Sequence, residues 1–149
     1  MEKKFELTDE FIVNVWGVKL FRIRATISFG IVKKGDLGGF IESENLPNGN
    51  ARVYGNAWVY GDAQVSGDAQ VYGDAQVYGD AWEKSPLQIQ GTRHFFNICA
   101  IGFIRIGCIQ KSFNDWTNQF ESVGKENGYT SEQIKEYELY IKLAIELYK

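Results

Sequence analysis

From Val53 to Trp82 the apolar positions fall on a beat of six. Five hexads follow without a gap: Val53-Tyr54-Gly55-Asn56-Ala57-Trp58, Val59-Tyr60-Gly61-Asp62-Ala63-Gln64, Val65-Ser66-Gly67-Asp68-Ala69-Gln70, Val71-Tyr72-Gly73-Asp74-Ala75-Gln76 and Val77-Tyr78-Gly79-Asp80-Ala81-Trp82. A helix would need apolar residues at its own shorter period, and a Gly in each hexad would weaken it by about 1 kcal/mol every time. A β-branched residue at the first position and a small one at the fifth is instead the pattern of a parallel β-helix built from hexapeptides.

Each hexad predicts one short side of a triangular coil, with Val inward, Ala tucked beside it and Gly-Asp or Gly-Asn turning the corner. Gly admits positive φ, and Asp or Asn bonds the local backbone in turns. Three hexads close a coil, so residues 18 apart should stack: Tyr54 over Tyr72, Tyr60 over Tyr78, Asn56 over Asp74, Asp62 over Asp80, Trp58 over Gln76 and Gln64 over Trp82. Adjacent strands lie about 4.8 Å apart, close enough for stacked rings. The regular hexads make fewer than two coils and leave unpaired backbone at both ends, so the flanks are expected to act as caps or extra coils.

Before the repeat, Phe11 to Trp16 and Val18 to Ala25 read as two strands joined at Gly17, a hairpin able to cover the first coil. Gly35-Asp36-Leu37-Gly38-Gly39-Phe40-Ile41 reads as a degenerate entry to the repeat whose glycines make turns; it lacks the spacing of a phosphate loop. After the repeat, Ile89 and Gly91 keep the hexad phase, so one degenerate side is expected to persist. Phe95 to Ile101 and Phe103 to Cys108 read as strands turning near Gly102. Ser112-Phe113-Asn114-Asp115 opens a helix with Phe113, Trp116, Phe120 and Val123 on one face. Thr130-Ser131-Glu132-Gln133 opens a second, with Ile134, Tyr137, Ile141, Ala144, Ile145 and Tyr148 on one face, and Asn127-Gly128 turns between them. The expected organisation is residues 1–34 as an N-terminal β cap, 35–91 as the hexapeptide-repeat β-helix with regular hexads at 53–82, and 92–149 as a C-terminal cap of strands and two helices. All three are expected to form one compact unit.

Composition narrows the class without naming an activity. The chain has 149 residues, 44% hydrophobic and 15% aromatic, which excludes disorder over most of its length. A formal charge of -3 is not that of a dedicated nucleic-acid binder. The first residues lack the apolar core of a secretory signal, and the stretch from Phe95 to Ile109 is broken by Asn97 and Arg105, so a cytoplasmic protein is expected. Cys99 and Cys108 lack metal-ligand spacing and are expected to be buried or partly buried thiols.

The candidate chemistry sits in two places. Outward Tyr54, Trp58, Tyr60, Tyr72, Tyr78 and Trp82, beside Asp62, Asp68, Asp74 and Asp80, make a candidate binding surface, because Tyr and Trp anchor interfaces. Ring stacking that merely stabilises the coils explains the same residues equally well. His94 is the single imidazole and the one candidate general base, should the repeat serve a coenzyme-A-dependent acyl transfer. The repeat offers little wall for that cofactor, so neither a catalytic residue nor a cofactor is expected. Residues 51–82 carry Arg52 against four Asp, a net of 1 - 4 = -3, but these acids spread over three faces. That spread favours neither DNA mimicry nor the converging oxygens of a calcium site. Aromatic faces on a short solenoid favour a homo-oligomer, a dimer or trimer.

The run Lys34-Gly35-Asp36-Leu37-Gly38-Gly39-Phe40-Ile41-Glu42-Ser43-Glu44-Asn45-Leu46, the tandem Val-Tyr-Gly-Asp-Ala-Gln hexads, Ser85-Pro86-Leu87-Gln88-Ile89-Gln90-Gly91-Thr92-Arg93-His94 and Ile104-Arg105-Ile106-Gly107-Cys108 together resemble short hexapeptide-repeat proteins encoded by bacteriophages and prophages. The resemblance implies a left-handed β-helix in a bacterial host. It also implies a non-enzymatic protein that binds and blocks or modulates a host protein complex, defence systems included, in the manner of an anti-CRISPR inhibitor. It transfers no catalytic residue.

Overall fold

The structure, a computed structural model, describes residues 4–42, 47–61 and 63–148. It is mainly β, with two helices, and divides into two compact units, Met1–Pro86 and Leu87–Lys149.

The first unit opens with β1 (Phe5–Val13) and β2 (Lys19–Ala25), an antiparallel hairpin. Asn14 closes its tip by accepting from the N–H groups of Trp16 and Val18, while Gly17 sits at φ +80. The strands that follow are β3 (Leu37–Ile41), β4 (Arg52–Val53), β5 (Trp58–Tyr60), β6 (Gln64–Val65), β7 (Gln70–Val71), β8 (Gln76–Tyr78) and β9 (Ala81–Trp82). They form three parallel stacks, β3-β5-β8, β4-β7 and β6-β9. In the first two stacks the paired residues are 18 apart, as in Ile41 on Val59, Val59 on Val77 and Arg52 on Gln70. All five hexad valines are at most 1% exposed, and Ala57, Ala63, Ala69 and Ala75 are fully buried beside them, so Val and Ala together fill this core.

Corners repeat one hydrogen bond. The N–H groups of Ala51, Ala57, Ala69 and Ala75 donate to the carbonyls of Asn48, Tyr54, Ser66 and Tyr72 at 3.1 to 3.4 Å. The intervening Gly has φ of 60 to 64 and no described non-Gly residue has positive φ, as a type II′ turn requires. Asn48-Gly49-Asn50-Ala51 obeys the same rule, so the regular repeat begins one hexad before Val53, with buried Pro47 in the Val position.

The last corner departs from this. Asp80 N–H donates to Tyr78 C=O across Gly79 at φ +82, a turn one residue shorter. Trp82 therefore pairs with Val65, and Gln64 with Ala81, instead of Gln64 with Trp82. Position 83 holds Glu where a sixth inward Val would stand. The slip puts Trp82 inside at 4% exposure and turns Ala81 out, since a one-residue shift exchanges the faces of a strand.

Gly38 and Gly39 also differ from expectation. Both lie in β3, buried and without positive φ, so they make no turn. A Cβ on Gly38 would sit 2.5 Å from Val53 O, and one on Gly39 would sit 2.6 Å from Ala57 O. The entry strand is glycine-rich because the coil closes against it. β2 pairs antiparallel with β3, giving a five-stranded sheet β1-β2-β3-β5-β8 and occupying the β3 edge that the parallel stack leaves open.

The second unit contains β10 (Gln88–Gln90), β11 (Phe95–Ala100), β12 (Phe103–Ile106) and β13 (Ile109–Ser112), an antiparallel sheet in chain order, then α1 (Phe113–Glu126) and α2 (Ser131–Tyr148). Ile89 keeps hexad phase in sequence but pairs antiparallel with Phe96, so that phase adds no parallel layer. Ser112 caps α1 by accepting from Asp115 N–H. Thr130 and Gln133 exchange two bonds at the start of α2, a complete capping box. No helix among the described residues is long and apolar enough to cross a membrane.

The crowding at β3 makes a prediction. Gly39→Ala should lower the stability of the Met1–Pro86 unit by about 1–3 kcal/mol through overpacking, read as a lower urea midpoint by tryptophan fluorescence. An unchanged midpoint would show that the entry strand has room to move.

Candidate functional site

The outward aromatic residues of the repeat have been divided by the fold. Tyr60 and Tyr78 stack at 5.5 Å, and Trp16 from the hairpin tip stacks on Tyr60 at 6.2 Å. Tyr60 is only 9% exposed and forms a small core with Leu20 and Phe40, against which Ile12, Val18, Trp58 and Tyr78 pack. The end of the hairpin thus covers part of the outer face of the β3-β5-β8 stack, around Tyr60. Tyr54 and Tyr72 stack at 5.6 Å on another side, both half-buried, with the Arg52 guanidinium 4.4 Å over Tyr54 and Tyr54 donating to Gln70. Trp82 is an interior residue.

The acids occupy corners. Asp68 and Asp74 are exposed and Asp80 is half-buried in the short final turn. Asp62 lies outside the described residues, as do the resemblance-bearing positions 43–46.

The exposed apolar surface sits where the periodicity gave no signal. Around the hairpin tip Phe11, Val13, Val15 and Trp16 are 48%, 57%, 90% and 64% exposed. The Lys19 ammonium lies 4.1 Å from the Phe11 ring centroid and 5.6 Å from that of Phe21. The other hairpin cations are matched, Arg22 with Glu10 at 2.7 Å and Arg24 with Glu6 at 2.6 Å. Four apolar residues just ahead of the Gly17 turn were the available hint, because turn tips project into solvent.

His94 belongs to a polar cluster in the second unit. Its Nδ1 lies 2.5 Å from the Tyr129 hydroxyl, and the two rings stack at 5.6 Å. The Tyr137 hydroxyl accepts from the N–H groups of Arg93 and His94 and donates to the His94 carbonyl. Arg93 donates to the carbonyls of Asn127 and Gly128 beyond the last turn of α1, where a cation suits the helix dipole. Glu136 takes the N–H and hydroxyl of Thr92 and the hydroxyl of Tyr140. Its burial works to raise its pKa, but these hydrogen bonds outweigh that and hold it below the ordinary carboxylate value. Cys99 is buried, whereas Cys108 is exposed, contrary to the sequence expectation.

Tyr140 is pushed up to about 12, first by donating to Glu136 at 2.6 Å and then by burial. A phenol whose pKa is higher folded than unfolded supports the fold below its unfolded value near 10.0, and that support is lost as pH rises through about 12. Glu136→Gln removes the charged acceptor, so Tyr140 should ionise closer to 10.0 in an alkaline absorbance titration. Titration unchanged from wild type would contradict the assigned cause.

Comparison with protein families matches the model described as the YdcK β-solenoid repeat at residues 49–61, 63–79 and 69–84. The matched spans coincide with the parallel stacks from the Asn48 corner to β9. No match is found among curated proteins or among solved structures. The chain carries a β-solenoid repeat similar to that of the YdcK model.

Proposed function

We propose that the protein is a non-enzymatic interaction module whose contact surface is the β1-β2 hairpin tip. The observation that carries this reading is the exposure of four apolar residues at the end of the hairpin, Phe11 and Val13 on one face, Trp16 on the Tyr60 side, and Val15 at 90% exposure. Large apolar side chains gathered in solvent on a protruding turn mark interaction sites. Trp16 is the anchor, because Tyr60 and Tyr78 back its ring and hold it in place before binding, which lowers the ordering cost of association. Lys19 beside the patch favours a partner with a carboxylate at its rim.

The finer reading follows the resemblance to phage and prophage hexapeptide-repeat proteins. The solenoid is left-handed, the hairpin caps it, and the setting is the cytoplasm of a bacterial host. The partner is a host protein complex that the module blocks or modulates, as an anti-defence inhibitor does. Without that partner, the same patch supports self-association into a dimer or trimer.

Val15→Asp with Trp16→Ser should abolish capture of any host protein that the wild type retains from a bacterial lysate, and should leave a monomer in light scattering at micromolar concentration. Tyr60 is a poor place for this test, since its loss would disturb the Leu20-Phe40 core. Retention of the same protein and the same mass by the double variant would reject the hairpin tip. Thiol release from acetyl-coenzyme A that depends on His94 would reject the non-enzymatic reading.

A further inference from the structure

β1 is the outermost strand of the five-stranded sheet, and no strand pairs with its other edge among the described residues. The hairpin turn fixes which backbone groups face that edge. Asn14 N–H donates to the Val18 carbonyl at 3.0 Å, so Asn14 and Val18 are a hydrogen-bonded pair. Such pairs alternate along an antiparallel ladder, which makes Ile12 and Leu20 the next one and leaves Val13 opposite Lys19, and Phe11 opposite Phe21, in non-hydrogen-bonded pairs. The N–H and C=O groups of Phe11 and Val13 therefore point away from β2, along the open edge. Their side chains are exposed as well.

An open edge is a template for another strand, and bulges, charges or Pro are the usual defences. In β1 the register shift lies between Leu7 and Phe11, so Phe11 to Val13 is regular, uncharged strand without Pro. Glu10 and Glu6 are held within their own hairpin by Arg22 and Arg24.

We propose that a second copy of this chain adds its own β1 to this edge, antiparallel about a two-fold axis at Ile12. The segment is its own complement under that axis, as an isologous contact requires. Phe11 falls opposite Val13 of the second copy, and Val13 opposite Phe11, with outward backbone groups on both sides to exchange hydrogen bonds. Aromatic and β-branched side chains pair favourably across strands. On the other face Ile12 meets Ile12 of the second copy at the close approach of a non-hydrogen-bonded pair, Cα atoms about 4.5 Å apart. Each Lys19 stands on the far side of its own β1, so the two are separated across the sheet by about 14 Å, more than the Debye length of about 8 Å in physiological salt. The pairing deepens the self-association reading of the hairpin end given above and rests on it.

Val13→Pro removes an N–H that the edge needs and β2 does not, a substitution that edge strands tolerate. In light scattering at micromolar concentration the wild type should have the mass of a dimer and Val13→Pro half that mass, with unchanged circular dichroism. In a Cys108→Ser background, mild oxidation should join Ile12→Cys into a covalent dimer. Val13→Cys should stay reduced, because the two Val13 positions stand on a diagonal of about 7–8 Å, beyond disulfide reach. If Val13→Pro does not fold, the two cysteine variants decide alone. A monomeric wild type, a dimer that survives Val13→Pro, or cross-linking of Val13→Cys in preference to Ile12→Cys would overturn the pairing. A dimer that survives Val13→Pro and is lost in the Val15→Asp, Trp16→Ser variant would keep the hairpin end as the contact surface and reject the edge alone.

Discussion

At every described corner of the repeat before the last, the opening carbonyl accepts from the N–H three residues on, across a glycine held at φ near 60. Two demands meet at that glycine. Positive φ strains any residue with a side chain, and at Gly55 and Gly67 the next layer also crowds one: a Cβ on Gly55 would be 3.2 Å from Gly73 N, and one on Gly67 would be 2.9 Å from Glu83 O. With the corner fixed, Val faces inward once per hexad, and the two-residue strands need no further information to find their place.

The same geometry explains why the outer aromatic face is not simply a binding face. A sheet built by stacking exposes the same side-chain column in every layer, so Phe40, Trp58, Tyr60 and Tyr78 would form an apolar stripe in water. The hairpin lies over part of it, with Leu20 fully buried against Phe40 and Tyr60. Covering the stripe moves the exposed apolar area outward to the hairpin tip, and the chain has a presented patch there because it has a covered one beneath.

Much of this was legible in the sequence. The valine and glycine beat specified the inward face, the 18-residue stacking and the Tyr54-Tyr72 and Tyr60-Tyr78 columns. Ser112 and Thr130 marked both helix starts. Trp82 was misplaced because periodicity at positions 77–82 is intact, and the fault lies one residue later, where Glu83 forces the register to slip. The hexad beginning at Pro47 was missed for the opposite reason, its corner being regular and its first residue not β-branched. The exposed hairpin end and the His94 cluster depend on which distant segments meet, as Tyr129 and Tyr137 meet Arg93 and His94, and no local pattern encodes that.

The layer spacing itself can be measured directly. In a Cys108→Ser background, Asn56→Cys with Asp74→Cys places two thiols on stacked corners, where strands about 4.8 Å apart fall within the Cα range of a disulfide. Asp68→Cys with Asp74→Cys places them on successive corners of one coil, a full side apart. Mild oxidation should cross-link the first pair rapidly and leave the second reduced, as read by peptide mass. Cross-linking of the 68 and 74 pair, with the 56 and 74 pair left reduced, would contradict the 18-residue layer on which the fold is built.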